Sequence, residues 1–266
     1  MSGKELPRAG LRQTLVRQTR RVAWWEFGEV SAKKTVLYCH GTPGSGVDAQ
    51  LFTASAQDLG LRIIAIDRPG YGHSDREPGR NVASWAHDAQ AVLDHLGIEK
   101  VAVVGYSGGC PHALALLQEM PERISSLGLA APFIPRKGFA GWVERVSAPW
   151  RMFVAWALNS LGSRVAHRST RVRNLLTDAQ AFRQGICGAI DDERAIINNW
   201  GIEPGALRIA LATHQIPVTV WIGGRDRVIA PKESRQVAHL LGAKIILHPH
   251  STHSTLLFSL SLSSKV

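Results

Sequence analysis

The chain has 266 residues, 45% of them hydrophobic, with a formal net charge of +10 at pH 7, a length and apolar content that suit one large α/β core with an insertion. Its three cysteines, Cys39, Cys110 and Cys187, lie far apart without a C-x-x-C pair, which argues against a zinc site or a disulfide framework and for a reducing compartment. The basic residues 1–21 lack the apolar run of a signal peptide, and no stretch reaches the roughly 18 apolar residues of a membrane span, so the expected location is cytoplasmic.

In chain order, residues 13–19 and 21–27 alternate polar and apolar side chains, as an antiparallel edge ribbon does. Short apolar runs then predict strands at 35–39, 61–66, 101–104, 124–130, 216–222 and 243–247. Helical patterns at 48–59, 84–96, 111–119 and 232–241 fall between them. That alternation predicts an α/β fold with a doubly wound, mostly parallel sheet.

The rhythm breaks over residues 135–205, which hold helical stretches but no convincing strand. They are expected to form a helical cap, or lid, inserted in a core made of residues 1–134 and 206–266. Within the cap Trp150, Phe153, Val154, Ala157, Leu158 and Leu161 form an apolar helical stripe, followed by Arg164, Arg168, Arg171 and Arg173. Residues 136–173 carry eight Lys or Arg against Glu144 alone. Such a segment can make weak contact with an anionic membrane surface, or pack its stripe on the core and leave the arginines in water. No nucleic-acid partner is expected.

The chemistry gathers where predicted strands end. Val101-Ala102-Val103-Val104 runs into Gly105-Tyr106-Ser107-Gly108-Gly109 and then a helical stretch. A G-x-S-x-G between a buried strand and a helix lifts its serine into a strained, exposed turn, which makes Ser107 the candidate nucleophile. A serine hydroxyl needs an imidazole to accept its proton and a carboxylate to fix that imidazole. Asp226 follows the strand at 216–222 and is the candidate carboxylate. His248, His250 and His253 follow the strand at 243–247; His248 precedes Pro249 and has little freedom, His253 is preferred, and His250 stays the alternative.

Acyl transfer also needs donors for an oxyanion. The amide of Gly108 is one, and His40-Gly41-Thr42-Pro43-Gly44 after the strand at 35–39 offers the amide of Thr42 as the other. The Lys-Ser/Thr ending of a phosphate-binding loop is missing from Gly41–Gly46.

His40–Gly44, Asp67-Arg68-Pro69-Gly70-Tyr71-Gly72-His73-Ser74, Gly105–Gly109, Gly223–Asp226 and His253 together resemble the α/β-hydrolase fold family, in the branch of serine esterases and proline iminopeptidases with an H-G-x-P-G loop. The resemblance assigns no catalytic role to residues 67–74. The chain departs from it at Thr252, where a glycine is usual, and in a short, serine-rich closing helix.

The expected function is a serine hydrolase cleaving the carboxylic ester of a small acyl substrate through an acyl-enzyme, with neither cofactor nor metal. A proline iminopeptidase-like activity is the enzymatic alternative. It would need an acidic clamp for the substrate amine, for which Asp191-Asp192-Glu193 is a candidate, although three acids on a helix are usually a solvated face. A receptor that keeps the pocket and turns over little is the alternative of another class.

Overall fold

Side chains alternate across a strand, so a strand that is apolar at every position must be covered on both faces. The computed structural model, which describes residues 11–135, 146–147, 149–157, 178–198 and 200–260, meets this demand with an eight-stranded sheet in the order β1-β2-β4-β3-β5-β6-β7-β8. The strands are β1 (Leu11–Arg17), β2 (Arg20–Gly28), β3 (Lys34–Cys39), β4 (Leu61–Ile66), β5 (Val101–Tyr106), β6 (Ile124–Ala130), β7 (Val218–Gly223) and β8 (Lys244–His248). β1 and β2 run antiparallel to their neighbours. From β4 to β8 the sheet is parallel.

Alternation sorts the core into two layers. Leu37, Cys39, Val101, Val103, Val220 and Ile222 point to one face. They meet α2 (Ala86–His95), α3 (Gly109–Glu119), α5 (Pro204–His214) and α6 (Pro231–Leu241). Val36, Tyr38, Ala102, Val104 and Trp221 point to the other. A 3₁₀ turn at Gly46–Phe52, α1 (Thr53–Asp58) and α7 (His253–Ser259) cover that side. The run predicted as one helix at 48–59 is thus a 3₁₀ turn passing into a short α-helix.

Between β6 and β7 the described residues ahead of α5 are helical at 146–147, 149–157, Asp178–Ala181 and in α4 (Cys187–Ile197). α5 begins at Pro204, just ahead of position 206 where the core was expected to resume, and buries Leu207 and Ala210 beside α3. Of the apolar stripe expected in the insertion, Trp150, Phe153 and Val154 are exposed. Leu158, Leu161, Arg164, Arg168, Arg171 and Arg173 lie outside the described residues, as do the basic residues 1–10. No helix among the described residues is long and apolar enough to cross a membrane.

The edge ribbon is fastened by charge as well as by its ladder. Glu26 of β2 is buried and accepts from Nε and Nη2 of Arg62 at 2.9 and 2.6 Å, from Trp24 Nε1 at 3.2 Å and from Gln13 at 2.6 Å. Removing the guanidinium leaves a carboxylate in the sheet with neutral donors only. Arg62→Ala is expected to lower unfolding stability by about 3 kcal/mol, read as a shift of the urea midpoint, whereas a loss under about 1 kcal/mol would show the pair to be as weak as a surface one.

Candidate active site

β5 lies between β3 and β6, and the chain passes from its last residue into α3 through Ser107 and Gly108 alone. So tight a reversal forces Ser107 to φ +50°, a left-handed conformation uncommon outside glycine. Backbone bonds hold it there: Ser107 N–H donates to Ala130 O at 2.9 Å, and Ser107 O accepts from Cys110 N–H at 2.9 Å. Two glycines allow the approach. A Cβ at Gly109 would sit 2.1 Å from Cys39 O, and one at Gly108 would sit 2.2 Å from Thr42 Oγ1.

Asp226 lies in the loop after β7, and His253 opens α7 after β8. His253 Nε2 is 2.9 Å from Ser107 Oγ, and its Nδ1 is 2.7 Å from Asp226 Oδ2. Since the carboxylate can only accept, Nδ1 carries the proton and Nε2 is free to accept from the serine. Asp226 Oδ1 accepts from the N–H groups of Val228 and Ile229 at 2.8 and 2.9 Å. Burial pushes the Asp226 carboxyl up, but the bonds from His253, Ile229 and Val228 outweigh it and hold the pKa below the ordinary value. The group stays anionic.

Two contacts that sequence reasoning did not foresee hold the backbone around His253. Tyr106 O–H donates to His253 O at 3.0 Å, with the two rings 5.2 Å apart. Burial raises the Tyr106 phenol above its usual pKa, so it remains a donor. Thr252, where a glycine was the usual residue, is the N-cap of α7: its N–H donates to Thr255 Oγ1 at 2.8 Å and its hydroxyl accepts from Thr255 N–H at 3.4 Å. Thr252-x-x-Thr255 ahead of an apolar run was the legible signal. His250 is exposed, and among the described residues no hydrogen bond joins it to Ser107 or Asp226.

Thr42, Ser107 and Gly108 line one cavity of about 370 Å³. Its walls are mainly Phe133, Met152, Ile196, Ile197, Val228 and Ile229, with Arg151, Glu193 and Glu233 as charged groups. Behind Thr42 lies a cluster the sequence did not announce. Asp192 on α4 is fully buried and takes bonds from Arg68 Nε (3.1 Å) and Nη2 (2.8 Å), from Thr42 Oγ1 (2.8 Å) and from Arg80 Nη2. Burial opposes its charge, yet Arg68 and Arg80 hold its pKa well below the ordinary carboxylate range. His40 and His112 adjoin this cluster, and burial followed by the Arg68 charge drives both well below the usual imidazole pKa, so they are neutral.

This arrangement corrects the reading of the acidic run. Asp192 is not on a solvated face, and it is not open to a substrate amine. Asp191 pairs with Arg76 at 2.7 Å, and Glu193 pairs with Arg151. The buried positions Ala189, Asp192, Ala195 and Ile196 follow the three- and four-residue spacing of a packed helix face. A carboxylate at such a position must find cations, and that was the signal in the sequence.

A family model described as alpha/beta hydrolase fold matches residues 34–259, and the chain belongs to that family. It is 28% identical over 243 residues to the dihydrolipoyllysine-residue acetyltransferase component of the acetoin cleaving system of Pseudomonas putida, covering 88% of this chain and 62% of that protein. Over 150 residues it is 29% identical to the proline iminopeptidase of Neisseria gonorrhoeae, covering 53% of this chain and 48% of that enzyme. It therefore spans less than two thirds of the length of either relative. Its fold is similar to the crystal structure of a hydrolase from Pseudomonas aeruginosa PA01, with a TM-score of 0.73 and 21% identity over 94% of this chain and 95% of that one.

The cap of α7 carries a consequence for the imidazole beside it. Thr252→Ala should cost about 1 kcal/mol locally and quicken hydrogen exchange of the Leu256 amide about fivefold. Unchanged exchange there would mean that the helix start is held by packing alone.

Proposed function

We propose that this member of the α/β-hydrolase family is a serine hydrolase that cleaves carboxylic esters. The observation that carries the reading is the continuous path from Ser107 Oγ through His253 to Asp226, at 2.9 and 2.7 Å, opening on the cavity that Ser107 lines. Ser107 Oγ attacks the ester carbonyl carbon while His253 Nε2 takes the hydroxyl proton, and Asp226 stabilises the imidazolium. The carbonyl oxygen becomes an oxyanion that accepts from the N–H groups of Thr42 and Gly108. Collapse of this intermediate expels the alcohol, which receives the proton from His253. Water, deprotonated by the same imidazole, then attacks the acyl-serine and releases the acid.

A cavity of about 370 Å³ with mostly aliphatic and aromatic walls suits an apolar acyl group of modest size. The insertion between β6 and β7 forms the roof, as a cap over the core. Aminopeptidase chemistry is the weaker reading for this pocket. The likeness to a proline iminopeptidase favours it, but Asp191 and Asp192 are engaged by arginines outside the cavity, and Glu193 shares its charge with Arg151.

Active-site labelling and turnover of short acyl nitrophenyl esters test the assignment. A fluorophosphonate should modify Ser107, and Ser107→Ala should lose labelling together with a factor on the order of 10⁴ in kcat. His253→Ala should be nearly as impaired, while His250→Ala should retain most activity. Faster release from proline-arylamides than from any ester would replace the esterase reading with the peptidase one.

The exposed Trp150, Phe153 and Val154 of the 149–157 helix support a weak contact of the cap with an anionic membrane surface. Co-sedimentation should then be greater with phosphatidylglycerol vesicles than with phosphatidylcholine vesicles and should fall between low and moderate salt. Equal or absent binding to both would remove the contact from the proposal.

A further inference from the structure

The peptide that carries the Thr42 N–H is held from behind. Gly41 O accepts from Arg68 Nη2 at 2.9 Å and from His40 Nδ1 at 2.9 Å, and Arg68 Nη1 donates to His40 O. The Gly41–Thr42 peptide is trans, so its N–H points opposite to its C=O. A carbonyl drawn toward Arg68 therefore turns the Thr42 N–H away from Arg68, and Thr42 itself lines the cavity beside Ser107 and Gly108. Arg68 also donates to Thr42 Oγ1 at 2.8 Å, and that hydroxyl donates to Asp192 Oδ2 at 2.8 Å. The Thr42 side chain and the carbonyl before it are thus fixed by one guanidinium and one carboxylate.

Asp192 in turn sets the plane of Arg68, binding both Nε and Nη2 in the two-pronged manner that fixes a guanidinium. Arg80 donates to the same carboxylate, and Arg80 Nη1 lies 3.4 Å from His112 Nε2. His112 Nδ1 reaches Gly108 O at 2.9 Å. One buried carboxylate therefore ties together the loops behind both proposed oxyanion donors. It comes from α4, in the insertion, whereas every group it holds comes from residues 40–112.

We propose that Asp192 is a positioning residue for the oxyanion site: through Arg68 and the Thr42 hydroxyl it aims the Thr42 N–H at the developing charge, so that docking of α4 on the core completes the site. This inference rests on the serine-hydrolase reading and extends it to the insertion.

The test uses the full chain and a small alkyl fluorophosphonate. Ser107 Oγ bonds to phosphorus, its proton passes to His253 and fluoride departs, while negative charge builds on the phosphoryl oxygen facing Thr42 and Gly108. Saturation kinetics separate reagent binding from the maximal rate. Thr42→Val keeps the volume and removes the hydroxyl. Its maximal rate should fall on the order of 10- to 100-fold, with reagent binding within about twofold. Thr42→Ser should recover most of that loss, and Asp192→Asn should resemble Thr42→Val. If Asp192→Asn does not fold, the Thr42 pair decides. Thr42→Val reacting at the wild-type rate, Thr42→Ser as slow as Thr42→Val, or a folded Asp192→Asn at the wild-type rate would each overturn the positioning role while Ser107 labelling left the hydrolase reading in place. A wild-type chain unlabelled at Ser107 would remove both.

Discussion

The whole site hangs on the reversal between β5 and α3. A left-handed backbone at a non-glycine residue costs on the order of 1–2 kcal/mol and survives only where the surroundings over-determine it. Here Ser107 is held by bonds to Ala130 and Cys110, and the start of α3 is pressed against the end of β3 at Gly109. Three adjacent strands thereby fix one hydroxyl. Since β3, β5, β6, β7 and β8 run parallel, the loops bearing His40, Ser107, Asp226 and His253 all leave the same edge of the sheet, where α/β folds assemble their sites.

Electrostatics divide the site into two compartments with different solutions to the same problem. Asp226 is offset by an imidazole and two backbone amides, neutral donors that leave its charge available to an imidazolium. Asp192 is offset by two guanidiniums, and full burial makes that pairing obligatory. Under the proposed mechanism, the carboxylate that stabilises a transient charge has neutral partners. The one proposed to hold a loop still has permanent cations.

Much of this was legible in the sequence, for definite reasons. The runs at 61–66 and 124–130 coincide with β4 and β6 because their stretches Ile63–Ile66 and Leu127–Ala130 are buried at every position and carry apolar residues throughout. Ser107, Asp226 and His253 were legible because each lies in the turn or loop that follows such a run, and the structure brings the three together. The role of Thr252 was hidden because comparison with a usual glycine treated it as a mismatch rather than as a cap. Asp192 was hidden because its partners Arg68 and Arg80 lie more than a hundred residues away in the chain, and no local pattern pairs them. Gly46, which opens the 3₁₀ turn, donates its N–H to Asp67 Oδ1 at 2.7 Å, a contact between distant loops that no local pattern announces.

The same helix that carries Asp192 also supplies Ile196 and Ile197 to the wall of the cavity. Asp192 and Ile196 are four residues apart, so they share a face of α4. Ile196 Cδ1 lies 3.2 Å from where a Cβ at Gly108 would stand. Under the proposed mechanism, selection of the acyl group and aim of the oxyanion donors therefore rest on one rigid element. A change in α4 that widened the pocket by shifting the helix would drag the carboxylate away from Arg68. A change confined to the Ile196 or Ile197 side chain would leave it in place. Substrate range in this chain can thus drift by side-chain exchange along α4 far more readily than by movement of α4 itself.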